Sequence, residues 1–153
     1  MTDDPISPDH PKQRLLFFVS QNADESLRRQ TKALVLDLAN RKSWVNGPPR
    51  FVDEWETPSP ASGDAAIETL GGYIELYSAV RPWSLKRGVD QAHLEEVEDL
   101  VAALQALSLK NAVCVEFELD GKFVGAIENG IPDRLLEEGL LGEWRRNLIQ
   151  MGR

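Results

Sequence analysis

Five residues on two predicted β-strands have side chains that can do chemistry, and their spacing places them on one face of a sheet. Glu116 and Glu118 alternate with apolar residues, so their carboxylates point to the same face, about 7 Å apart along the strand. A second strand shows the same alternation, and we expect its polar side to share that face from a neighbouring position. The five candidate binding residues are Tyr73, Glu75, Tyr77, Glu116 and Glu118.

Three interpretations of this polar face are open. An antiparallel sheet often keeps one face in water, in which case the glutamates are ordinary solvated side chains. Tyrosine supplies rigid contact area with a polar tip, which suits a surface that binds another protein. Two carboxylates on one face are also the groups that a general acid–base pair or a hard cation requires. No loop has the ligand spacing of a calcium site, so we predict no metal.

Other residue types that do catalysis are scarce. His10 lies in the proline-rich N-terminal stretch, and His93 falls in the first turn of an acidic helix, where we expect a solvated side chain rather than a general base. Cys114, the single cysteine, lies on a strand with no histidine placed to activate it, so we expect a small buried thiol. Phosphate-binding glycine loops, serine-hydrolase elbows and zinc-protease helices do not occur. We therefore predict no catalytic residue and no cofactor.

The charge of the chain narrows the class of partner. Its 153 residues include 25 acidic and 17 basic ones, for a net charge of -8. The stretch 51–100 holds 11 acidic and 3 basic residues, which is a net -8 within one third of the chain. Such a surface disfavours nucleic acid and anionic lipid, because both bind through the neutralisation of phosphates. It favours a basic protein through charge complementarity.

The composition indicates a cytosolic protein. One cysteine cannot form an internal disulfide, and a chain of this length forms a core without disulfides or metals. No apolar run approaches the roughly 18 residues needed to span a bilayer. The first ten residues are acidic and proline-rich, unlike a signal peptide. The oligomeric state stays open.

The first half of the chain alternates strands with one helix. We expect a disordered tail at 1–12 and a single α+β domain at 13–153. The apolar run at 14–19 predicts a central strand covered on both faces. Asn22 is the predicted cap of the helix that follows and ends near Arg41. Further predicted elements are a strand at 50–57, an ambiguous stretch at 64–72 that fits a short helix or a strand, and a strand at 73–80.

A second helix, with Asp90 as its predicted cap, separates apolar from acidic residues. Its apolar face contains Leu94, Val97, Val101 and Leu104, which we expect to be buried. Glutamates and aspartates occupy the opposite side, where negative charge near the N-terminus suits the helix dipole. The exposed residues that form a rival binding face are Glu95, Glu98 and Asp99.

A hairpin closed by Asp120-Gly121 is the clearest signal in the chain, because this dipeptide favours a two-residue type I′ turn. Its simplest register pairs Leu119 with Lys122, Glu118 with Phe123, Glu116 with Gly125, and Cys114 with Ile127. In that register Phe123 and Ile127 share the face of the glutamates. A third helix is predicted to open at Pro132-Asp133, with a break or kink at Gly139 or Gly142.

The resulting order, β-α-β-β-α-β-β-α, predicts an α+β fold: a mainly antiparallel five-stranded sheet with helices on one face. Its first six elements match a ferredoxin-like core.

The leading functional hypothesis is a non-enzymatic acidic binding module, in one form an inhibitor or immunity-type protein that masks a basic active site. The alternative is a small enzyme or ligand-binding domain whose carboxylates work in a pocket on the open sheet face. Of the two acidic surfaces we favour the sheet, because aromatic residues are interleaved there.

Overall fold

Six antiparallel β-strands form one open sheet, and the helices pack against it. The computed structural model describes residues 9–19, 24–56, 67–78 and 85–151. The elements in chain order are β1 (Lys12–Val19), α1 (Glu25–Arg41), β2 (Arg50–Glu56), β3 (Ile67–Tyr77), α2 (Arg87–Asn111), β4 (Cys114–Leu119), β5 (Lys122–Glu128), β6 (Ile131–Pro132), a π-helix (Leu135–Gly142) and α3 (Glu143–Met151). The strands lie in the order β2-β3-β1-β4-β5-β6, and each neighbouring pair is antiparallel.

The predicted α+β class is confirmed, with one strand more than expected. The additional strand is β6, because Ile131 and Pro132 pair with the end of β5 instead of opening the third helix. The ambiguous stretch 64–72 contributes strand from Ile67 onwards, and residues 64–66 lie outside the described part of the chain. Strand β3 therefore runs for 11 residues, and it forms ladders with both β1 and β2.

Alternation along the central strand β1 separates the sheet into two faces. Leu15, Phe17 and Val19 are at most 6% exposed, and they define the inner face together with their partners on β3 and β4. The intervening Leu16 and Phe18 are only half-buried, and they define the outer face in the same way. The prediction that both faces of this strand are covered is wrong for the described residues, because their helices pack on the inner face alone.

The two long helices bury one apolar stripe each. On α2, Leu94, Val97, Val101 and Leu104 are at most 5% exposed, as predicted. On α1 the buried residues include Leu27, Val35 and Leu38. Burying side chains of this size stabilises the fold by about 1.5–3 kcal/mol each. None of the helices in the described ranges has the length and hydropathy needed to cross a bilayer.

Both long helices begin at positions other than the predicted caps. Asp24 caps α1, where its Oδ1 accepts a hydrogen bond from the Leu27 N–H at 2.8 Å; Asn22 lies outside the described residues. Helix α2 begins at Arg87, so Asp90 stands inside the first turn and does not cap the helix. Its carboxylate accepts a hydrogen bond from the Trp144 indole at 2.7 Å instead.

The hairpin of β4 and β5 has the predicted turn and a different register beyond it. Asp120 and Gly121 have φ angles of 51° and 83°, which are both positive, as a type I′ turn requires. The pairs Leu119–Lys122 and Glu118–Phe123 form as expected. A β-bulge then shifts the ladder by one residue, so that the next pairs are Phe117–Gly125, Glu116–Ala126, Val115–Ile127 and Cys114–Glu128.

The bulge moves Ile127 from the predicted outer position to the inner face, where it is fully buried. Gly125 adopts a φ of 143°, and a Cβ at this position would lie 2.5 Å from the Leu136 Cβ and 2.7 Å from the Leu136 backbone. The π-helix therefore packs directly on the backbone of β5. A glycine at the bulge is what permits this close approach.

The third predicted helix is continuous rather than broken at its glycines. Asp133 caps it, since its Oδ1 accepts a hydrogen bond from the Leu136 N–H at 2.9 Å. The turns from Leu135 to Gly142 have the wide π-helical winding and pass into α3 at Glu143. The irregularity expected at Gly139 and Gly142 is thus a change of helical winding.

The two glycines of the hairpin provide a matched test of this packing. Both have positive φ, but nothing lies within 4 Å of a Cβ added at Gly121, whereas Gly125 is in contact with Leu136. We expect Gly121→Ala to lower the free energy of unfolding by about 1 kcal/mol, from backbone strain alone. Gly125→Ala should lower it by about 3 kcal/mol, because overpacking adds to strain. Equal losses in urea titrations would contradict the close contact.

Candidate functional site

The outer face carries most of the residues that the sequence singled out. Glu116 and Glu118 lie on β4 and pair with Phe18 and Leu16 of β1. On the other side of β1, Leu16 pairs with Tyr73, and Arg14 pairs with Glu75. The two sets therefore share a face, although β1 stands between their strands. Two strand spacings, about 10 Å, separate the tyrosine side from the glutamate side.

The outer face is organised in rows that run across five strands. One row consists of Arg50, Tyr73, Leu16, Glu118 and Phe123, taken from β2 to β5. The next row consists of Val52, Gly71, Phe18, Glu116 and Ala126. The first row places Tyr73 and Leu16 between Arg50 and Glu118, and the second places Glu116 between Phe18 and Ala126. Phe123 at one end is 44% exposed, so a large apolar ring is presented directly to solvent.

Arg14 reduces the local negative charge at one corner of the outer face. Its guanidinium lies 4.0 Å from the centroid of the Tyr73 ring, within cation–π range. Its backbone N–H donates to the Asp120 carboxylate at 2.9 Å, which ties the hairpin turn to β1. Arg14 also stands opposite Glu75 in the ladder. The carboxylates of Glu116 and Glu118 stand further along β1, beside Phe18 and Leu16.

Tyr77 is separated from the other candidates, at the end of β3. Its ring centroid lies 5.4 Å from that of His10 and 5.9 Å from that of His93. His10 Nε2 lies 2.6 Å from the Ser78 carbonyl oxygen, and the Ser78 N–H donates to the Pro11 carbonyl. Residues 9–12 of the predicted tail thus lie against β3, and residues 1–8 fall outside the described part of the chain.

His93 and Glu96 form a buried polar network that the sequence analysis missed. The side chains of both residues are at most 5% exposed, so the expectation that His93 is solvated is wrong. The Tyr77 N–H donates to His93 Nε2 at 3.1 Å, which makes Nε2 an acceptor and leaves the proton on Nδ1. That Nδ1 lies 3.2 Å from Glu96 Oε1, and the Val45 N–H donates to Glu96 Oε2 at 2.7 Å.

This network links helix α2 to two other parts of the fold. It connects the end of β3, helix α2 and the segment between α1 and β2. Both nitrogens of His93 are committed, so this geometry gives it a structural role. The helical period alone places His93 and Glu96 three residues apart on one side of α2, which is the only sequence signal that pointed to their contact.

The rival acidic face on α2 is partly neutralised within the fold. Glu98 accepts a hydrogen bond from Arg145 of α3 at 2.7 Å, and Asp99 pairs with Lys42 at the end of α1. Glu95 is exposed, with Gln91 3.5 Å away. Two of the three carboxylates therefore hold neighbouring helices together.

A cleft of about 460 Å³ lies on the inner side of the sheet, between the ends of β1, β3 and β4 and the helices. Its volume falls within the range of small-molecule sites. The apolar part of its wall consists of Leu15, Leu76, Leu119, Leu140 and Trp144. None of Glu75, Glu116 and Glu118 is among its described lining residues. This cleft is therefore different from the predicted pocket of outer-face carboxylates.

The described residues contain no group of three histidine, cysteine, aspartate or glutamate side chains placed to hold a metal ion. Cys114 is half-buried on the outer face, opposite Glu128 of β5.

Comparison of the chain with protein-family models, curated proteins and solved structures found no match.

Because Glu96 belongs to the buried network and Glu95 does not, we expect the same substitution at the two positions to affect stability differently. In Glu96→Gln, the amide NH₂ must face either His93 Nδ1–H or the Val45 N–H, which leaves two donors opposed in the core. We expect a loss of roughly 1–3 kcal/mol in the free energy of unfolding. The matched change Glu95→Gln, on the exposed side of the same turn, should leave stability unchanged. Urea denaturation of both variants provides the measurement, and equal stability of the two would contradict the network.

Proposed function

We propose that the protein is a non-enzymatic, cytosolic binding module whose outer sheet face docks a basic partner protein. The observation that carries this proposal is the one-sided packing of the fold. The described helices lie on the inner face, and the outer face presents half-buried aromatic and aliphatic side chains between glutamates. A protein interface commonly combines an apolar centre with a polar rim in this way.

The charge of the outer face supports a basic partner. Among the described side chains of this face, five glutamates stand against three basic residues, so the net charge of this part is negative. The acidic residues are Glu54, Glu75, Glu116, Glu118 and Glu128, and the basic ones are Lys12, Arg14 and Arg50. Complementary charge accelerates the encounter of two proteins, and apolar anchors then slow their dissociation. Phe123, Tyr73 and Phe18 are aromatic residues of this face that could act as anchors.

One specific form of this function is an inhibitor or immunity-type protein. Such a protein covers the positively charged active site of a toxin or nuclease, and rapid capture is what it requires. A rigid antiparallel sheet is suited to the task, because its side chains are already held in place before binding and little conformational freedom is lost.

The rival surfaces receive less support from the geometry. On α2, Glu98 and Asp99 are engaged with basic residues of the fold, and that face lacks interleaved aromatics. The alternative function, catalysis or ligand binding by outer-face carboxylates, requires a cavity at Glu75, Glu116 or Glu118. The described cleft lies on the other side of the sheet.

We also propose that β1 to β4, with α1 and α2, form a ferredoxin-like core within one domain at 13–153, to which β5, β6 and the C-terminal helices are added. The antiparallel order β2-β3-β1-β4 supports this proposal, because a split βαβ unit places its first strand between the third and the fourth. Such a core says nothing by itself about function.

The proposed function is tested by capture followed by kinetics. Affinity capture from cell extract should retain a basic protein at about 0.05 M salt and release it at about 1 M. With that protein, Phe123→Ala should accelerate dissociation about tenfold or more, because an exposed aromatic anchor is lost. The double change Glu116→Gln/Glu118→Gln should slow association several-fold.

A control double variant removes two negative charges from the helices instead of the outer face. Glu95→Gln/Glu137→Gln alters two exposed glutamates on helices, and it should change association less than the outer-face pair. If a Glu95, Glu98 and Asp99 triple neutralisation has the larger effect, the binding face is on α2. If no variant alters either rate, the acidity serves only solubility and the proposal is wrong.

A further inference from the structure

We infer that the inner-side cleft binds a small molecule that joins an apolar body to a cationic amino group. Its sheet residues Leu15, Leu76 and Leu119 belong to the inner side of the sheet, and Tyr77, at the end of β3, is the one candidate binding residue that also lines it. A volume of about 460 Å³ with a largely apolar wall is typical of a ligand site with a few polar groups that fix orientation.

The charge of the cleft selects the ligand class. Asp90 and Glu143 are the charged side chains among its described lining residues, and both are acidic. Two basic residues of the same helices are directed elsewhere: Arg87 donates to the Leu148 carbonyl oxygen at 3.2 Å, and Arg145 pairs with Glu98. Gln13, Tyr77 and Asn147 supply further neutral polar groups. An anionic ligand is therefore disfavoured, and an ammonium group is complementary.

Asp90 is held in a position suited to receive that ammonium group. Its Oδ1 accepts a hydrogen bond from Trp144 Nε1 at 2.7 Å, which fixes the carboxylate against the wall of the cleft. A carboxylate offers about four acceptor sites, and the indole uses one of them. A charge-assisted hydrogen bond to this half-buried carboxylate is stronger than a neutral one, and an indole ring nearby adds attraction for a cation.

The helical winding around the cleft is a second, independent observation. The π-helix from Leu135 to Gly142 supplies Gly139 and Leu140 to the wall. π-helical turns are rare in proteins and occur frequently at functional sites, because they displace side chains from the regular helical positions. In this protein the wide turns connect two points of contact. Leu136 packs on β5 at one end, and Trp144, just after the π-helix, hydrogen-bonds to α2 at the other.

Three ligands of matched size distinguish charge from apolar fit: 2-phenylethylamine, 2-phenylethanol and 3-phenylpropanoate, which are cationic, neutral and anionic at pH 7. Binding to the full chain is measured by calorimetry and by the indole N–H signal of Trp144 in amide-correlation spectra, assigned through Trp144→Phe. We expect the amine to bind saturably and to shift that signal, with an affinity about tenfold or more above that of the alcohol.

Charge-removing variants identify the carboxylates that receive the amine. Asp90→Asn retains an oxygen that accepts from Trp144, so the fold is preserved, and it should weaken amine binding about tenfold without altering alcohol binding. Glu143→Gln should also weaken amine binding. If Asp90→Asn fails to fold, the affinity of the Glu143→Gln variant provides the test instead. Glu137→Gln, which is exposed outside the cleft, is the matched control and should leave the affinity unchanged. Equal affinity for the three ligands, no shift at Trp144, or an unchanged amine affinity in both charge variants would overturn the inference.

Discussion

The contact between Gly125 and Leu136 is the constraint on which most of the other features depend. Without a side chain at Gly125, the π-helix packs on the backbone of β5, and the β-bulge beside it shifts the ladder by one residue. That shift buries Ile127 on the inner face and brings Ala126 and Glu128 to the outer face, opposite Glu116 and Cys114. The same contact leads the chain towards Trp144, which lines the cleft beside α2. One backbone contact therefore affects both the outer face of the sheet and the wall of the cleft.

Helix α2 joins the rest of the molecule through polar groups as well as through its apolar stripe. His93 and Glu96 receive backbone N–H groups from the end of β3 and from Val45, so each buried polar atom in the network has a defined partner. Such networks fix geometry strongly, because a missing partner leaves a desolvated donor or acceptor. The acidic residues of α2 thus have two roles within the fold: Glu96 connects elements internally, and Glu98 with Asp99 connects the helices at the surface.

The sequence predicted the elements that local chemistry determines and missed those that tertiary contact determines. The type I′ turn at Asp120 was predictable because its residues require no distant partner, and the apolar stripe of α2 was predictable from its helical period. The bulge after Phe123 was not, because it depends on the packing of Leu136, from the later π-helix, against Gly125. Burial of His93 was missed for the same reason, since the N–H groups that make its burial possible belong to other elements. The outer-face residues followed from period-two alternation, whereas their separation by β1 required the strand order.

We propose that the outer sheet face, rather than a helix, meets a protein partner. Cross-saturation transfer from an unlabelled partner to the methyl groups of this chain tests it most directly, because methyl groups exist on both candidate sides. Leu16 and Val52 lie on the outer face, whereas Leu36 on α1 and Leu109 on α2 are 52% and 68% exposed on the helical side. The account predicts strong saturation at Leu16 and Val52 and none at Leu36 or Leu109. Saturation confined to the helical methyl groups would contradict it.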